Sequence, residues 1–496
     1  MGYPEVMTQA RGARPVRPRR GSPAQIEGSS PSPGPAQPTV YSTSSRLVFY
    51  AAVLLIFTHF ARPFDTFLVG YKLPAIICGI GILVAAISGS FKLLASPVGI
   101  SYICLLCWFA LAVPSSYWMG GSAQYIIWHV RFLLILMLVV AVAGKNPNDL
   151  LKLCGVLAFS CALHLMVNGS ETAGRLSLSG TFGNSDDVAL LAGFAIPFWV
   201  LVAGRVNSVA VRGFLLAGGC GYLLILIGRT ATRAAIPALI AMLAVYFVRG
   251  NASRKMGVVA FALLGLVAAL IILPQSSIDR LASITNAFTL SGSDLAAQSE
   301  VDDSMKERKD LVQDAIEIAL KHPIFGIGPG QFVEYRYAKV KQVNGRAKPY
   351  LPTHNTYLEI ASDAGLPAIA IYLVFLGSIY LAIRRSEKAN KAQAQPNPLV
   401  SQLCLCTEAA LAYFAVCAAF MTCDKHPHQF VVAGMAIALS NLGFAKVAAK
   451  APVSTGMELA LAPQLNIRRS SPAKERVAAP ASRPMRRPTG TRAGRA

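Results

Sequence analysis

A histidine stands at the edge of an apolar stretch, in the sequence PTHNTYLEIASDAGLP that begins at Pro352. The residue types predict that Thr353 caps a short helix starting at His354, that Gly365 ends this helix and that Pro367 opens the next one. Such a helix start favours anions and tends to keep an imidazole neutral. A neutral imidazole can accept a proton, so His354 is a candidate general base. The alternative is a polar residue that only begins a helix.

Two arginines, Arg229 and Arg233, occur four residues apart in LIGRTATRAAIPALIAML, residues 226–243. This spacing predicts that both side chains share one face of a helix, where a tight hairpin joins two apolar segments. Paired guanidinium groups can bind a phosphate or a pyrophosphate through parallel hydrogen bonds. The pair therefore predicts a site for a phosphate-bearing ligand. The alternative is that both side chains reach lipid headgroups.

A third polar stretch, SGTFGNSDDVALLAGFAIPF at residues 179–198, combines turn glycines with Asn184, Asp186 and Asp187. We expect the segment from Asn184 to Asp187 to cap the following helix and to form the polar rim of a pocket. The two aspartates could also bind a metal ion. The sequence contains no Asp-x-Asp motif, so we do not expect the chemistry to require a metal.

The fourth polar stretch is DDSMKERKDLVQDAIEIALKHPIFGIGPGQF, residues 302–332. Between Asp303 and Lys321 its apolar residues recur at helical spacing, which predicts an amphipathic helix on the membrane surface. Arg308 lies near the start of this helix, and His322 ends it together with the next proline. The GIGPG that follows is a turn, since it lacks the lysine and the βαβ setting of a nucleotide-binding loop. The apolar residues are Leu311, Val312, Ala315, Ile316, Ala319 and Leu320.

The composition of the whole chain is too apolar for a soluble protein. Of 496 residues 54% are hydrophobic and 14% charged, with a mean hydropathy of +0.49. Windows of about 17–22 apolar residues can cross a hydrocarbon core, and they predict an all-α polytopic membrane protein with about 12 transmembrane helices. The cysteines fall in these windows, which favours small buried side chains over disulfides. The predicted spans centre on 47–61, 69–89, 97–116, 124–144, 149–168, 187–204, 212–228, 232–248, 256–274, 364–383, 402–423 and 429–446.

Lysine and arginine residues collect in alternate short loops, which we therefore assign to the cytoplasm. The other short loops contain few cations, such as Arg62 and Lys425. Both termini are then cytoplasmic, and the four polar stretches fall together on the periplasmic face, with a long periplasmic loop at 275–364. The cytoplasmic cations are Lys92, Lys145, Arg205, Arg249, Arg254, Lys255, Arg384, Arg385, Lys388 and Lys391.

Two basic tails, residues 1–45 and 447–496, flank a transmembrane domain predicted at 46–446. Both tails have too little apolar content to fold, so we expect them to be disordered. The formal net charge of the chain is +22. Attraction of the tails to anionic lipid of the bilayer explains this excess more simply than nucleic-acid binding, because no motif for nucleic acid accompanies it.

Four elements of the chain, in this order, resemble the O-antigen ligase and polymerase superfamily of bacterial membrane glycosyltransferases. The elements are GTFGN, a GRTA-type span, HPIFGIGPGQF and HNTYLEIASDAGLP, and they lie within residues 180–375. The resemblance implies a GT-C-like helical architecture and a periplasmic active site in the bacterial inner membrane. It also implies transfer of a glycan from undecaprenyl pyrophosphate to an acceptor hydroxyl, without a nucleotide sugar and with no cofactor.

The resemblance further assigns roles to single residues. It implies that His354 assists the acceptor hydroxyl and that Arg229 and Arg308 hold the donor pyrophosphate. We predict that Arg233 joins them in binding the donor. The residues predicted to support this site are Asn355, Glu359, Asn184 and His322.

The chain departs from the family pattern at two positions. Gly228 stands where members commonly have serine, and Ser185 with the two aspartates after it stands where they commonly have a second asparagine. The second departure leaves the role of that turn open. The acceptor, either a glycan or lipid A-core, separates a polymerase from a ligase, and the sequence does not indicate which applies.

Two other functions remain as alternatives. One is a membrane transporter or exporter of polysaccharide precursors, which predicts an internal repeat and broken helices with ionisable residues near mid-membrane. No obvious repeat occurs, and Arg131 and Glu408 look isolated within their spans. The other is a protein O-oligosaccharyltransferase, which usually carries more periplasmic mass after its last span.

Overall fold

The computed structural model of the chain describes residues 43–62, 73–172, 175–178, 184–272, 298–339 and 350–448, with positions 275, 278, 342–343 and 346–347. The two predicted basic tails lie outside the described residues except at their inner ends. The SGTFG turn before Asn184 also lies outside them.

Helices make up nearly all of the described structure. The first seven are α1 Thr43–Phe60, α2 Leu73–Ile87, α3 Pro97–Ala112, α4 Met119–Ala143, α5 Pro147–Asn168, α6 Ser185–Ala203 and α7 Val209–Thr230. The next seven are α8 Ala235–Arg249, α9 Ala252–Ile272, α10 Gln298–Lys321, α11 Phe332–Lys339, α12 Thr356–Lys391, α13 Pro398–Cys417 and α14 His428–Ala448. Short 3₁₀ turns at Ser90–Ala95 and Val113–Ser115 flank α3. Two small antiparallel hairpins pair β1 Gly169–Thr172 with β2 Arg175–Leu178, and β3 Gln342–Val343 with β4 Arg346–Ala347.

The helical content confirms the prediction of a multi-pass α-helical membrane protein. Each predicted apolar window coincides with one of the helices, whereas α10 and α11 belong to the predicted long loop. Among the described residues, α3, α4, α5, α6, α7, α12 and α13 are long and apolar enough to cross a membrane, and α1, α2, α8 and α14 contain shorter apolar stretches. The count of twelve spans stays a prediction.

The centre of the bundle is formed by α6 and α13, whose apolar windows are 78% and 72% buried. Gly193 in α6 permits their close approach, because a Cβ atom there would clash with the ring of Tyr413. The Tyr413 hydroxyl donates a hydrogen bond of 2.7 Å to the carbonyl of Ala189. Small residues at helix contacts allow such packing without a hydrophobic driving force. This pair therefore fixes the N-terminal end of α6, where the acidic turn lies.

At one end of the bundle, buried charges connect three helices. Arg249 at the end of α8 forms ion pairs with Glu387 of α12 and Glu408 of α13. Arg384 lies 3.7 Å from Glu408, and Lys391 lies 2.9 Å from Glu387. The prediction that Glu408 is isolated is therefore wrong. A buried carboxylate needs a partner, and the sequence separation between α8 and α13 hid it.

Helix α10 confirms the amphipathic helix predicted in the long loop, but it begins earlier, at Gln298. Its apolar face packs against protein rather than lying on the membrane as predicted, because Leu311, Ala315 and Ile318 are buried in one apolar cluster bordered by Leu358 of α12. The predicted apolar positions Ile316 and Leu320 are exposed. Arg308 lies near the middle of the helix rather than near its start. The contact with α12 brings Arg308 towards His354.

Candidate active site

The segment before α12 has a different geometry from the one the sequence predicts. Asn355 is the cap of α12, since its Oδ1 atom accepts a hydrogen bond of 3.0 Å from the Leu358 amide. The prediction that Thr353 caps the helix and that His354 begins it is therefore wrong. His354 lies just before the cap with a φ of 53°. This left-handed conformation is unfavourable for a residue with a Cβ atom, so the surroundings must hold it.

Glu359, in the first turn of α12, stabilises this conformation of the segment before the helix. Its Oε2 atom accepts hydrogen bonds from the Thr353 amide at 3.2 Å and the Thr353 hydroxyl at 2.8 Å. It also accepts one from the Thr422 hydroxyl at 2.5 Å. The carboxylate is buried, and Thr353 is fully buried. Three donors on one oxygen therefore fix the residue that directly precedes His354.

His354 lies within electrostatic reach of two charged side chains. Burial lowers the pKa of His354 below its ordinary value of 6.5, and the positive charge of Arg308 lowers it further. The negative charge of Asp186 opposes this shift. The imidazole is therefore neutral at physiological pH, which is the form a general base requires.

Asp186 is the residue that joins the separate parts of the site. Its Oδ2 atom lies 3.0 Å from Nη2 of Arg308, and its Oδ1 atom accepts a 3.0 Å hydrogen bond from the Thr232 hydroxyl. The Asp186 side chain is buried, whereas the Arg308 side chain is 40% exposed. Asp186 thus orients the Arg308 guanidinium group through its Nη2 atom, and the exposed part of the side chain can contact a ligand. The sequence predicts that Asp186 lies in the polar rim of a pocket and leaves metal binding open, but it does not predict the ion pair with Arg308.

The hairpin with Arg229 and Arg233 is broken where the sequence predicts a continuous helical face. Helix α7 ends at Thr230, Ala231 adopts a left-handed φ of 51°, and α8 begins beyond Arg233. The two arginines therefore do not share a helix face as predicted. The Thr230 hydroxyl accepts from the Thr232 amide and donates to a carbonyl of the preceding turn, and such bonds compete with the helix. The hairpin still reaches the site, because the Thr232 hydroxyl donates a hydrogen bond to Asp186. The Arg229 side chain is exposed, and the Arg233 side chain is half-buried.

The GIGPG turn is locked to α12 by Asp363. The Asp363 carboxylate accepts hydrogen bonds from the amides of Gly330, Gln331 and Phe332 at 2.7–3.1 Å. Gly365 has a φ of 85° and interrupts the helix there, as the sequence predicts. These bonds join the end of α10 to the first part of α12, so that Arg308 and His354 belong to one packed unit.

His322, predicted to support the site, lies at the exposed end of α10. Its ring faces the ring of Tyr335 edge-on, with centroids 6.4 Å apart. Its carbonyl accepts a hydrogen bond from the Gly326 amide. Its described contacts therefore form the turn after α10 and do not include His354. Asn184, also predicted to support the site, caps α6 by accepting from the Asp187 amide at 2.8 Å.

A second histidine also reaches this end of the bundle. His426 lies in the turn between α13 and α14, with its Nε2 atom 3.8 Å from Oδ1 of Asp187. Burial lowers the pKa of His426 to about 4, and the positive charges of Arg62 and Lys425 act in the same direction against that of Asp424. His426 is thus a neutral imidazole beside Asp187, and burial together with the negative charge of Asp186 raises the pKa of Asp187 to about 7.

Metal binding at the two aspartates was left open by the sequence. Among the described residues, no group of three or more histidine, cysteine, aspartate or glutamate side chains is arranged to hold a metal ion. Asp186 instead contacts Arg308 and Thr232. Metal independence stays a prediction.

Comparison with known proteins finds one family match, over about a third of the chain. Residues 215–373 match the protein family described as O-antigen ligase. This match supports the resemblance predicted from the sequence. The matched range contains Arg229, Arg233, Arg308 and His354. No curated protein matches the chain.

Proposed function

We propose that this O-antigen ligase domain transfers a glycan from an undecaprenyl-pyrophosphate donor to an acceptor hydroxyl at the periplasmic face of the bacterial inner membrane. One observation carries the proposal: Asp186 fixes a partly exposed Arg308 within electrostatic reach of the half-buried, neutral His354. A cation for the leaving group and a base for the nucleophile are the two functions this reaction needs.

The proposed reaction is a single displacement at the anomeric carbon of the donor. The acceptor oxygen forms a bond to this carbon while the bond from carbon to the diphosphate oxygen breaks, and its electron pair leaves with undecaprenyl pyrophosphate. His354 takes the hydroxyl proton, which could add about 10²–10⁴-fold to the rate. Positioning and stabilisation of the negative leaving group supply the remainder. The anomeric configuration is inverted.

The arginines proposed to bind the diphosphate are all connected to Asp186. Asp186 holds Arg308 directly, and through Thr232 it holds the hairpin that carries Arg229 and Arg233. A pyrophosphate offers several oxygens, so guanidinium groups arriving from two directions can bind it together. This arrangement favours a diphosphate donor over a single phosphate.

Replacing His354 with alanine in the native host tests the proposal. We expect surface polysaccharide to be lost and lipid-linked glycan to accumulate. Single repeat units in the accumulated pool indicate a polymerase, and full-length chains indicate a ligase. Glu317→Gln, on the exposed side of α10, is the control and should leave the polysaccharide unchanged. Normal polysaccharide from the His354→Ala strain, without build-up of lipid-linked glycan, would refute the proposal.

A further inference from the structure

Asp187 and His426 form a second pair of polar side chains at the same end of the bundle as His354. Asp187 directly follows Asp186 in the first turn of α6, so the pair adjoins the group that holds Arg308. Both side chains are mostly buried, yet each keeps an accessible edge, with 11% of Asp187 and 16% of His426 exposed. The pair is therefore open to a ligand beside the turn that orients Arg308.

The separation of the two polar atoms selects the group that fits between them. Nε2 of His426 and Oδ1 of Asp187 are 3.8 Å apart, which is beyond the limit of about 3.2 Å for a direct hydrogen bond. A hydroxyl oxygen lying off the line between them can be about 2.8 Å from both atoms. Such a hydroxyl donates its hydrogen to the carboxylate and accepts one from the imidazole N–H. Burial and the negative charge of Asp186 raise the pKa of Asp187 to about 7. A hydroxyl fits either form of this acid because it can both donate and accept, whereas a phosphate oxygen cannot donate to the ionised form and an ammonium group cannot accept from the imidazole.

We propose that Asp187 and His426 hold one hydroxyl group of a sugar, and we name this pair the hydroxyl clamp. The inference rests on the proposed function, because glycan transfer supplies sugars to this end of the bundle. The clamp selects and orients the sugar, while Arg308 binds the diphosphate and His354 takes the proton. The sugar belongs either to the donor glycan or to the acceptor, and kinetic constants for the two substrates distinguish these sources.

The test uses the full chain in membranes, with Asp187→Asn, His426→Gln and the double variant. The donor is lipid-linked glycan extracted from a host strain lacking this protein, and the acceptor is the host's own purified polysaccharide or lipid A-core. Asp187→Asn should raise KM for one substrate by about 10- to 100-fold, the range for a hydrogen bond to a charged group, and His426→Gln should raise the same KM by about 2- to 10-fold, the range for a neutral pair, while kcat changes little. A higher donor KM places the hydroxyl on the donor, and a higher acceptor KM places it on the acceptor.

The double variant separates a shared ligand from two independent effects. Because both side chains hold the same hydroxyl, the double variant should lose no more than the more damaging single variant. Asp149→Asn, in the first turn of α5, is a matched acid-to-amide control and should leave both KM values unchanged. Asp187→Asn keeps the side-chain shape and the cap from Asn184, so it carries the test if His426→Gln lowers the melting temperature.

Unchanged KM values in both single variants, or losses that multiply in the double variant, would overturn the hydroxyl clamp. Wild-type membranes that transfer no glycan would instead refute the proposed function itself. Since the wild-type and variant membranes are assayed side by side, the two failures are distinguishable.

Discussion

Replacing Glu359 with glutamine should impair catalysis by His354 without altering the imidazole itself. His354 has a φ of 53°, and a residue with a Cβ atom in this region costs about 1–3 kcal/mol. The compensating contacts are the three hydrogen bonds that Glu359 accepts from Thr353 and Thr422. Glutamine is nearly isosteric, so above the pKa of Glu359, which burial and the charge of Asp424 raise, the change mainly removes the negative charge of the acceptor.

The size of the effect follows from these three bonds. A hydrogen bond to a charged group contributes about 1.5–3 kcal/mol, against about 0.5–1.5 kcal/mol for a neutral pair. A loss of about 1 kcal/mol in each of the three bonds amounts to about 3 kcal/mol, which is enough to offset the conformational strain at His354. Since about 1.4 kcal/mol corresponds to a tenfold change in rate, we expect Glu359→Gln to lower kcat by about 10- to 100-fold.

The assay is turnover of extracted lipid-linked glycan by membranes that contain each variant. Thr422→Val removes one of the three donors and should lower kcat by about 3- to 10-fold. In a His354→Ala background, Glu359→Gln should cause no further loss, because Glu359 acts through the histidine. A wild-type rate for Glu359→Gln, or a full further loss in the His354→Ala background, would refute the positioning role.

Three further predictions concern the site and its support. Arg308→Lys should lower the transfer rate by about 100-fold, because an ammonium group does not reproduce the planar fork that Asp186 orients; a rate within twofold of wild type would contradict this. Burial and the positive charge of Arg308 lower the pKa of His354. In a pH–rate series the activity should therefore persist below pH 6.5 and fall only as the pH passes the lowered pKa. Arg308→Gln removes the positive charge and should move this fall in activity to higher pH. Gly365→Ala should lower the melting temperature, because a Cβ there would clash with the Ile324 carbonyl in a backbone conformation that costs about 1–3 kcal/mol. Gly377→Ala has open space in the same helix and should not lower it.

The helices of the bundle could be predicted from sequence because their signal is local. Each apolar window is continuous along the chain, and a length of about 20 residues is set by the bilayer itself. The helix ends were less predictable. Thr353 and Asn355 are both good capping residues, and only the contact of Thr353 with Glu359 decides that Asn355 takes the cap. The break after Thr230 likewise depends on hydroxyl bonds that apolar periodicity does not report.

The site was predictable only where its residues lie in recognisable motifs. His354 and Arg308 were identified because each belongs to a stretch that resembles a family. Asp186 and Arg308 are 122 residues apart, and no periodicity or spacing connects positions so distant in the chain. The ion pairs of Glu408 with the end of α8 were hidden for the same reason, since the two residues are 159 apart. Contacts of this kind arise from helix packing and become visible only in three dimensions.

The bonds between the GIGPG turn and Asp363 have a mechanical consequence. Together with the apolar cluster that packs α10 against Leu358, they make α10 and the first part of α12 a single body, bounded on one side by the non-helical residue Gly365. Arg308 and His354 are both carried by this body, whereas Asp186 is carried by α6. A hinge movement at Gly365 would therefore keep the base and its cation in register while changing their distance from the aspartate. Such a movement would have to part the Arg308–Asp186 contact and also the bonds that join the first turn of α12 to the segment after α13, among them Thr422 to Glu359.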